Sequence, residues 1–353
     1  MTDIAKHMRR TMNRKAIAVL SALFGATALA GTVAAQAPAA FYKGKTVKFV
    51  VGFGTGGGFD AYARFFSSPL GKALDATVVV ENQPGAGGLI ALNRVAASPP
   101  DGLTMMIVDG TPAALGQLLG QDNVRYDLAK LGHLGMINST RFMWLVAANS
   151  PVTSVADVLK AGSKVRFGSA GPIDGPAGSA GVACEALRIS CQVIVGYKGS
   201  SDMVLAMQRG ELDANFLSDS SSANLVTSKQ ARAIVALSRE RSKQLPDVPT
   251  MFEAAKLDAE QAWWIDFRAN LNDLGRILVT TQGVPADRLA FLQAAVKTVL
   301  TDPAMVEEGG KTGRPLDFQD PEVARKKAIS VLEGMTPDQK ERVRNVALRK
   351  YVQ

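Results

Sequence analysis

The sequence predicts an α/β protein made of two doubly wound units. From Thr46 onward, an apolar strand, a glycine-rich or small-residue turn and a helix follow one another three times. After Ser150-Pro151 the same pattern restarts. The length, 353 residues, exceeds one ordinary domain and fits two.

Val47 to Val51 is a β-branched run that meets Gly52, Gly54, Gly56, Gly57 and Gly58, and Phe59-Asp60 then open an amphipathic helix. A strand that ends in glycines leading into a helix presents unpaired N–H groups at the positive end of a helix dipole, which suits an anion. Thr77 to Glu81 is a continuous apolar strand of the parallel kind, followed by a second glycine turn from Asn82 to Gly88. Next come the helix LIALNRVAAS, the turn Pro99-Pro100-Asp101-Gly102 and the strand LTMMIV, with Pro112 placed to open another helix. In such sheets ligands lie beyond the carboxyl ends of the strands, where all three turns fall.

LGHLGMI and FMWLVAA read as further strands. The second unit starts with a helix at Val155 to Leu159 and the strand KVRFG. A Gly/Pro loop, Ser169 to Gly178, precedes the helix that carries Cys184. The strand QVIVGY, the loop Lys198 to Ser201, a helix stopped by Gly210, and the strand LDANF follow, the last ending in a serine-rich loop, Leu217 to Ser222. Beyond AIVALS come the aromatic pair Trp263-Trp264, the helix DRLAFLQAAVKTVL and a basic terminal helix capped by Thr336.

The first residues read as a targeting segment. Lys6, Arg9, Arg10, Arg14 and Lys15 precede the apolar run Ala16 to Ala30, and Val33 and Ala35 are placed for cleavage before Gln36. Residues 1–35 are thus expected to be a signal peptide and the mature chain periplasmic. They hold five basic residues and Asp3, four of the eight net positive charges, so the remainder carries only +4. That is weak support for nucleic-acid binding. Cys184 and Cys191 are a possible disulfide or two buried thiols.

Gly52-x-Gly54-x-x-Gly57, with Glu81 ending the second strand, also satisfies a dinucleotide fingerprint and makes a nicotinamide-dependent oxidoreductase the rival reading. Export, a second glycine turn and the crowding of Gly56-Gly57-Gly58 weigh against it. His133 is the sole histidine outside the targeting segment and reads as a core residue. Asp60, Asp109, Asp174 and Asp219 suit capping and turns, and no pair is spaced for acid/base work. Binding without chemistry remains.

FYKGKTVKFVVGFGTGGGFDAYAR, VVVENQPGAGGLIALN, the PPDG turn, VIVGYKGSSDMVLAMQRGELDA, LPDVPTMFEA and GVPADRL together resemble the periplasmic receptors of the tripartite tricarboxylate transporter family, the Bug proteins. The resemblance implies a type II periplasmic-binding-protein fold, two α/β lobes crossed twice by the chain, with lobe 1 at 41–142 plus 264–353 and lobe 2 at 143–263. It implies no enzymatic activity, no cofactor and no nucleic-acid partner. It further implies a monomer that hands a small carboxylate to membrane permease subunits; a solitary ligand sensor is the other possibility. Carboxylate binding by loop backbone groups, without a clamping arginine, then falls on Phe53, Gly54, Thr55, Gly56, Gly57, Gly58, Phe59 and Asp60, with Thr111 nearby. Ser169, Ala170, Gly171, Tyr197, Lys198 and Asp219 would face them. Thr55, Phe59 and the loop SAGPIDGPAG depart from the family pattern.

Overall fold

The computed structural model describes residues 37–352. The signal-peptide expectation for residues 1–35 lies outside them. Two five-stranded sheets organise the chain. The first holds β1 (Thr46–Val51), β2 (Thr77–Asn82), β3 (Thr104–Asp109), β4 (Gly132–Asn138) and the late strand β10 (Arg276–Thr280). The second holds β5 (Phe142–Ala147), β6 (Val165–Ser169), β7 (Cys191–Val195), β8 (Ala214–Ser218) and β9 (Ala231–Ala236). The orders are β2-β1-β3-β10-β4 and β7-β6-β8-β5-β9.

Each sheet is parallel except for the strand that arrives from the other lobe. β10 is antiparallel to β3 and β4, and β5 to β8 and β9. The sequence reading left the stretch after Trp264 without an element. There the chain completes the helix Ala259–Asn272 and inserts β10, buried at every position. The apolar run of β10, Ile277 to Val279, is too short to show a period that would separate a buried strand from a helix fragment. The serine-rich loop is also corrected: β8 runs through Ser218, whose Oγ accepts from Ser221 N, and the helix Asp219–Thr227 begins at once.

Aromatic packing fills the second lobe, where Trp144 lies 5.1 Å from Phe167 and 5.2 Å from Phe216 between ring centres. In the first lobe Val47, Phe49 and Val51 of β1 pack with Phe66 and Leu70 of the helix Gly58–Leu74. Burying each such side chain is worth roughly 1.5–3 kcal/mol.

The crossovers at 139–141 and 273–275 lie side by side. Thr140 N donates to Asn272 O at 3.1 Å, and Gly110 N to Gly275 O at 3.0 Å. Gly275 has φ +46°, and a Cβ there would stand 1.9 Å from Asn138 O, so only glycine fits.

The expected lobe limits shift. Phe142 already belongs to the second sheet, and Trp264 sits inside a helix packed on the helix Gly175–Leu187 of the second lobe. The end of the chain also leaves the first lobe. After the helix Pro321–Glu333, which packs on β4, the turn Val346–Lys350 rests on the helix Gly175–Leu187. Val193 N donates to Tyr351 O at 2.8 Å, while Tyr351 Oη and Lys350 Nζ reach Glu185 Oε2 at 2.7 and 2.6 Å. These bonds hold the tail on lobe 2.

Cys184 and Cys191 form a disulfide with Cα atoms 6.2 Å apart. It closes a short loop, so its entropic effect on the unfolded chain is at the low end, about 2–3 kcal/mol. The double variant Cys184→Ala/Cys191→Ala should lose that amount in urea unfolding of the full chain, and dithiothreitol should reproduce the loss in the parent protein.

Candidate functional site

A partly open cavity of about 60 Å³ lies between the lobes, at the carboxyl ends of β1, β3, β6 and β8. It has room for a few water molecules. Six of the expected residues lie on its wall: Phe53, Gly57, Gly58, Phe59, Thr111 and Ala170.

The glycine loop divides its donors. Gly54 N donates across the cleft to Lys198 O at 2.7 Å, and Gly56 N to Asp60 Oδ2 at 2.9 Å. The N–H groups of Gly57, Gly58 and Phe59 precede the first helical bond, from Ala61 N to Gly57 O, so the helix gives them no partner. A Cβ on Gly58 would lie 2.6 Å from Ser221 Oγ and 3.7 Å from Arg276 Nη2, so these second-lobe and crossover groups close on the same spot.

The other expected residues hold the loops rather than the cavity. Asp60 accepts from Arg64, Asn82 and Gly56; burial pushes its carboxyl up, but these bonds together bring it below the ordinary range. Thr55 is exposed. Ser169 Oγ bonds Asp174 Oδ1 and Gly171 O. Gly171 instead packs on Gly87, where a Cβ would stand 2.6 Å from Gly87 N, so the second glycine turn seals the cleft. Tyr197 packs in the core of lobe 2, and the side chain of Lys198 is exposed. Asp219 is buried behind the wall, its carboxylate bonded to Ser242 Oγ at 3.0 Å and Ser220 N at 3.0 Å.

Sequence reading missed the polar centre of the site. Arg276, 1% exposed at the start of β10, donates from Nη1 to Asn138 (3.0 Å) and Thr140 (3.3 Å) and from Nη2 to Ser218 (3.0 Å) and Ser220 (3.3 Å). All are neutral, and Arg276 makes no ion pair among the described residues. Its guanidinium also lies over Phe59 and Tyr62, 5.2 and 4.5 Å from the ring centres. A buried cation with neutral partners attracts an anion. Phe59 stacks on Phe53 at 4.7 Å and forms part of the apolar wall with Phe142, Pro176, Met203 and Leu217. The missing signal was β10 itself; once that strand is placed, an arginine at its cleft end stands out.

Asp109 and Asp174 also line the cavity. Asp174 is saturated: its oxygens accept from Ser169 Oγ and from the N–H groups of Ala170, Gly171 and Ala177. Among the described residues, Asp109 accepts only from Thr111 N, at 3.1 Å. Burial pushes Asp109 up to about 6, with Arg268 and the Thr111 N–H opposing. His133 is remote from the cavity, its Nε2 2.9 Å from Leu128 O and its pKa lowered by burial. Trp263 and Trp264 pack beneath Arg342 and do not reach the cavity. Glu81, the acid of the dinucleotide reading, instead pairs with Lys48 at 3.8 Å.

Two α/β lobes crossed twice, with a cavity between their strand ends, define a cleft-type solute-binding protein. Residues 62–320 match the family model described as tripartite tricarboxylate transporter family receptor. The chain belongs to that family. A UPF0065 protein of Bordetella pertussis is 23% identical over 279 residues, 78% of this chain and 82% of its own length. The periplasmic binding protein BugD has the same fold, with a TM-score of 0.73 at 22% identity over 88% of this chain and 100% of its own. So does MatC from Rhodopseudomonas palustris, solved with bound malate, at 0.69 and 21% over 86% and 99%.

Because the folded pKa of Asp109 exceeds its unfolded value, the folded state binds the extra proton between about pH 4 and 6, and this group's contribution to stability falls as pH rises through that window. Asp109→Asn keeps an oxygen for the Thr111 N–H and removes the charge. Without ligand it should be more stable than the parent at pH 7, by at most about 3 kcal/mol, and show little gain at pH 4. Thermal unfolding at the two pH values checks this.

Proposed function

We propose that this receptor captures a small organic carboxylate in the interlobe cavity and delivers it, unchanged, to the membrane subunits of a tripartite transporter. The observation that carries the reading is the convergence of the Gly57–Phe59 N–H groups with the Arg276 guanidinium, which has no carboxylate partner. The N–H donors sit at a helix N-terminus, where each favourable charge interaction adds roughly 0.3–1 kcal/mol. Charge-assisted hydrogen bonds from a guanidinium are stronger still. Micromolar capture needs a net of only about −8 kcal/mol.

The protein acts in the periplasm as a monomer and carries out no chemistry on its ligand. His133, the one histidine among the described residues, is remote from the cavity, and Asp174 is locked by four bonds. Bound malate in MatC supports the ligand class, since that protein shares the fold.

Thermal shift against mono-, di- and tricarboxylates and aromatic acids tests the reading. A ligand at a hundredfold excess over its Kd should stabilise the protein by about 2.7 kcal/mol. If no acid shifts the transition and a dinucleotide does, the reading fails. Gly58→Val places its side chain where Ser221 and the ligand carboxylate close, so binding should weaken at least a hundredfold while the circular dichroism spectrum is kept. Unchanged affinity would move the site elsewhere.

A further inference from the structure

Three polar groups on the cavity wall have hydrogen-bonding capacity that the protein does not use. Asn272 is 3% exposed, and neither its Oδ1 nor its Nδ2 has a partner. Arg276 Nε is buried and equally unpartnered. Asp109 has one hydrogen bond, from Thr111 N, where Asp174 has four. Buried polar groups in native proteins are nearly all satisfied, so a cluster left open in a binding cavity points to what the cavity receives.

The register sharpens the point. Asp109 and Arg276 stand directly opposite each other on β3 and β10. Facing side chains at such positions start about 5 Å apart, close enough to pair. They make no ion pair, because Asn138, Thr140, Ser218 and Ser220 hold the guanidinium elsewhere. A cation and an anion are thus kept side by side and separate, both on the cavity wall.

The charge balance selects among acids. Among the described residues, the ionisable groups on the cavity wall are the carboxylates Asp109 and Asp174 and the guanidinium of Arg276. A dicarboxylate would bring two more negative charges to a set already short of cations, a cost that grows with desolvation. A zwitterion adds no net charge and satisfies both poles.

We propose that the site takes α-amino acids with apolar side chains, an inference that rests on the carboxylate-capture reading above. The carboxylate lies on the Gly57–Phe59 N–H groups and Arg276, and the ammonium donates to Asp109 and to Asn272 Oδ1. The side chain meets Phe142, Pro176, Met203 and Leu217. An amine on the carbon next to the carboxylate keeps both poles at one end of the ligand, the end at which Asp109 and Arg276 stand opposite each other in register.

Calorimetric titration of the full chain near neutral pH tests this with matched pairs, L-leucine against 4-methylpentanoate and L-phenylalanine against 3-phenylpropanoate, and with malate and adipate as dicarboxylates. In at least one pair the amino acid should bind tenfold or more tightly than its deaminated partner. Asp109→Asn, which keeps the oxygen facing Thr111, should bring that ratio close to one. Equal or tighter binding of the deaminated acids by the parent protein overturns the proposal, without any variant having to fold. So does a ratio that persists in Asp109→Asn. Binding of dicarboxylates alone overturns it and leaves the carboxylate reading standing, whereas binding of no acid removes both.

Discussion

The close passage of the two crossovers is the constraint from which the site follows. Gly275 lies against Asn138 with no space for a side chain, and Thr140 is bonded to Asn272. This fixes where β4 leaves the first lobe and where β10 re-enters it. Arg276 is the next residue after Gly275, and Asn138 and Thr140 belong to the opposite crossing, so the contact that joins the lobes also aims the guanidinium. A larger residue at 275 would displace both the junction and the main cation of the cleft.

The site has two kinds of polar group. Asp60 and Asp174 are saturated by neighbouring donors and give the loops their shape. Asp109, Asn272 and Arg276 line the cavity; Asp109 accepts one bond, and the side-chain amide of Asn272 and Nε of Arg276 have no partner. Glycines separate in the same way. Gly54 ties the lobes through Lys198 O and Gly171 meets Gly87, whereas Gly57 and Gly58 line the cavity. The resemblance implied a grip by loop backbone without an arginine; this chain places a buried arginine beside those backbone donors.

Much of the fold was legible because local chemistry and global architecture agree. The glycine loop after β1, the turn before β3 and the Thr336 cap all lie where the residues place them, and Thr336 forms a full capping box with Gln339. The site was half legible, and the half that was missed depends on β10. A five-residue strand with three apolar residues, following a helix, has no periodic signature, and without it Arg276 is one arginine among many. The serine-rich stretch misled in the opposite direction. Serines read as loop, yet Ser218 caps a helix that keeps Asp219 behind the wall. Lys198 offered a charge in sequence but contributes its carbonyl oxygen in space.

The docking of the tail on the second lobe has a consequence beyond lobe assignment. β7 is the outermost strand of its sheet, and an outer strand offers unpaired N–H and C=O groups to any passing chain. The bridge between Val352 and Val193, with the Tyr351 carbonyl accepting from Val193, occupies part of that ladder with the protein's own residues. Glu185 then fastens the covering segment through Lys350 and Tyr351. The tail thereby covers part of the exposed edge of β7 with the protein's own residues, leaving less of that ladder open to another chain.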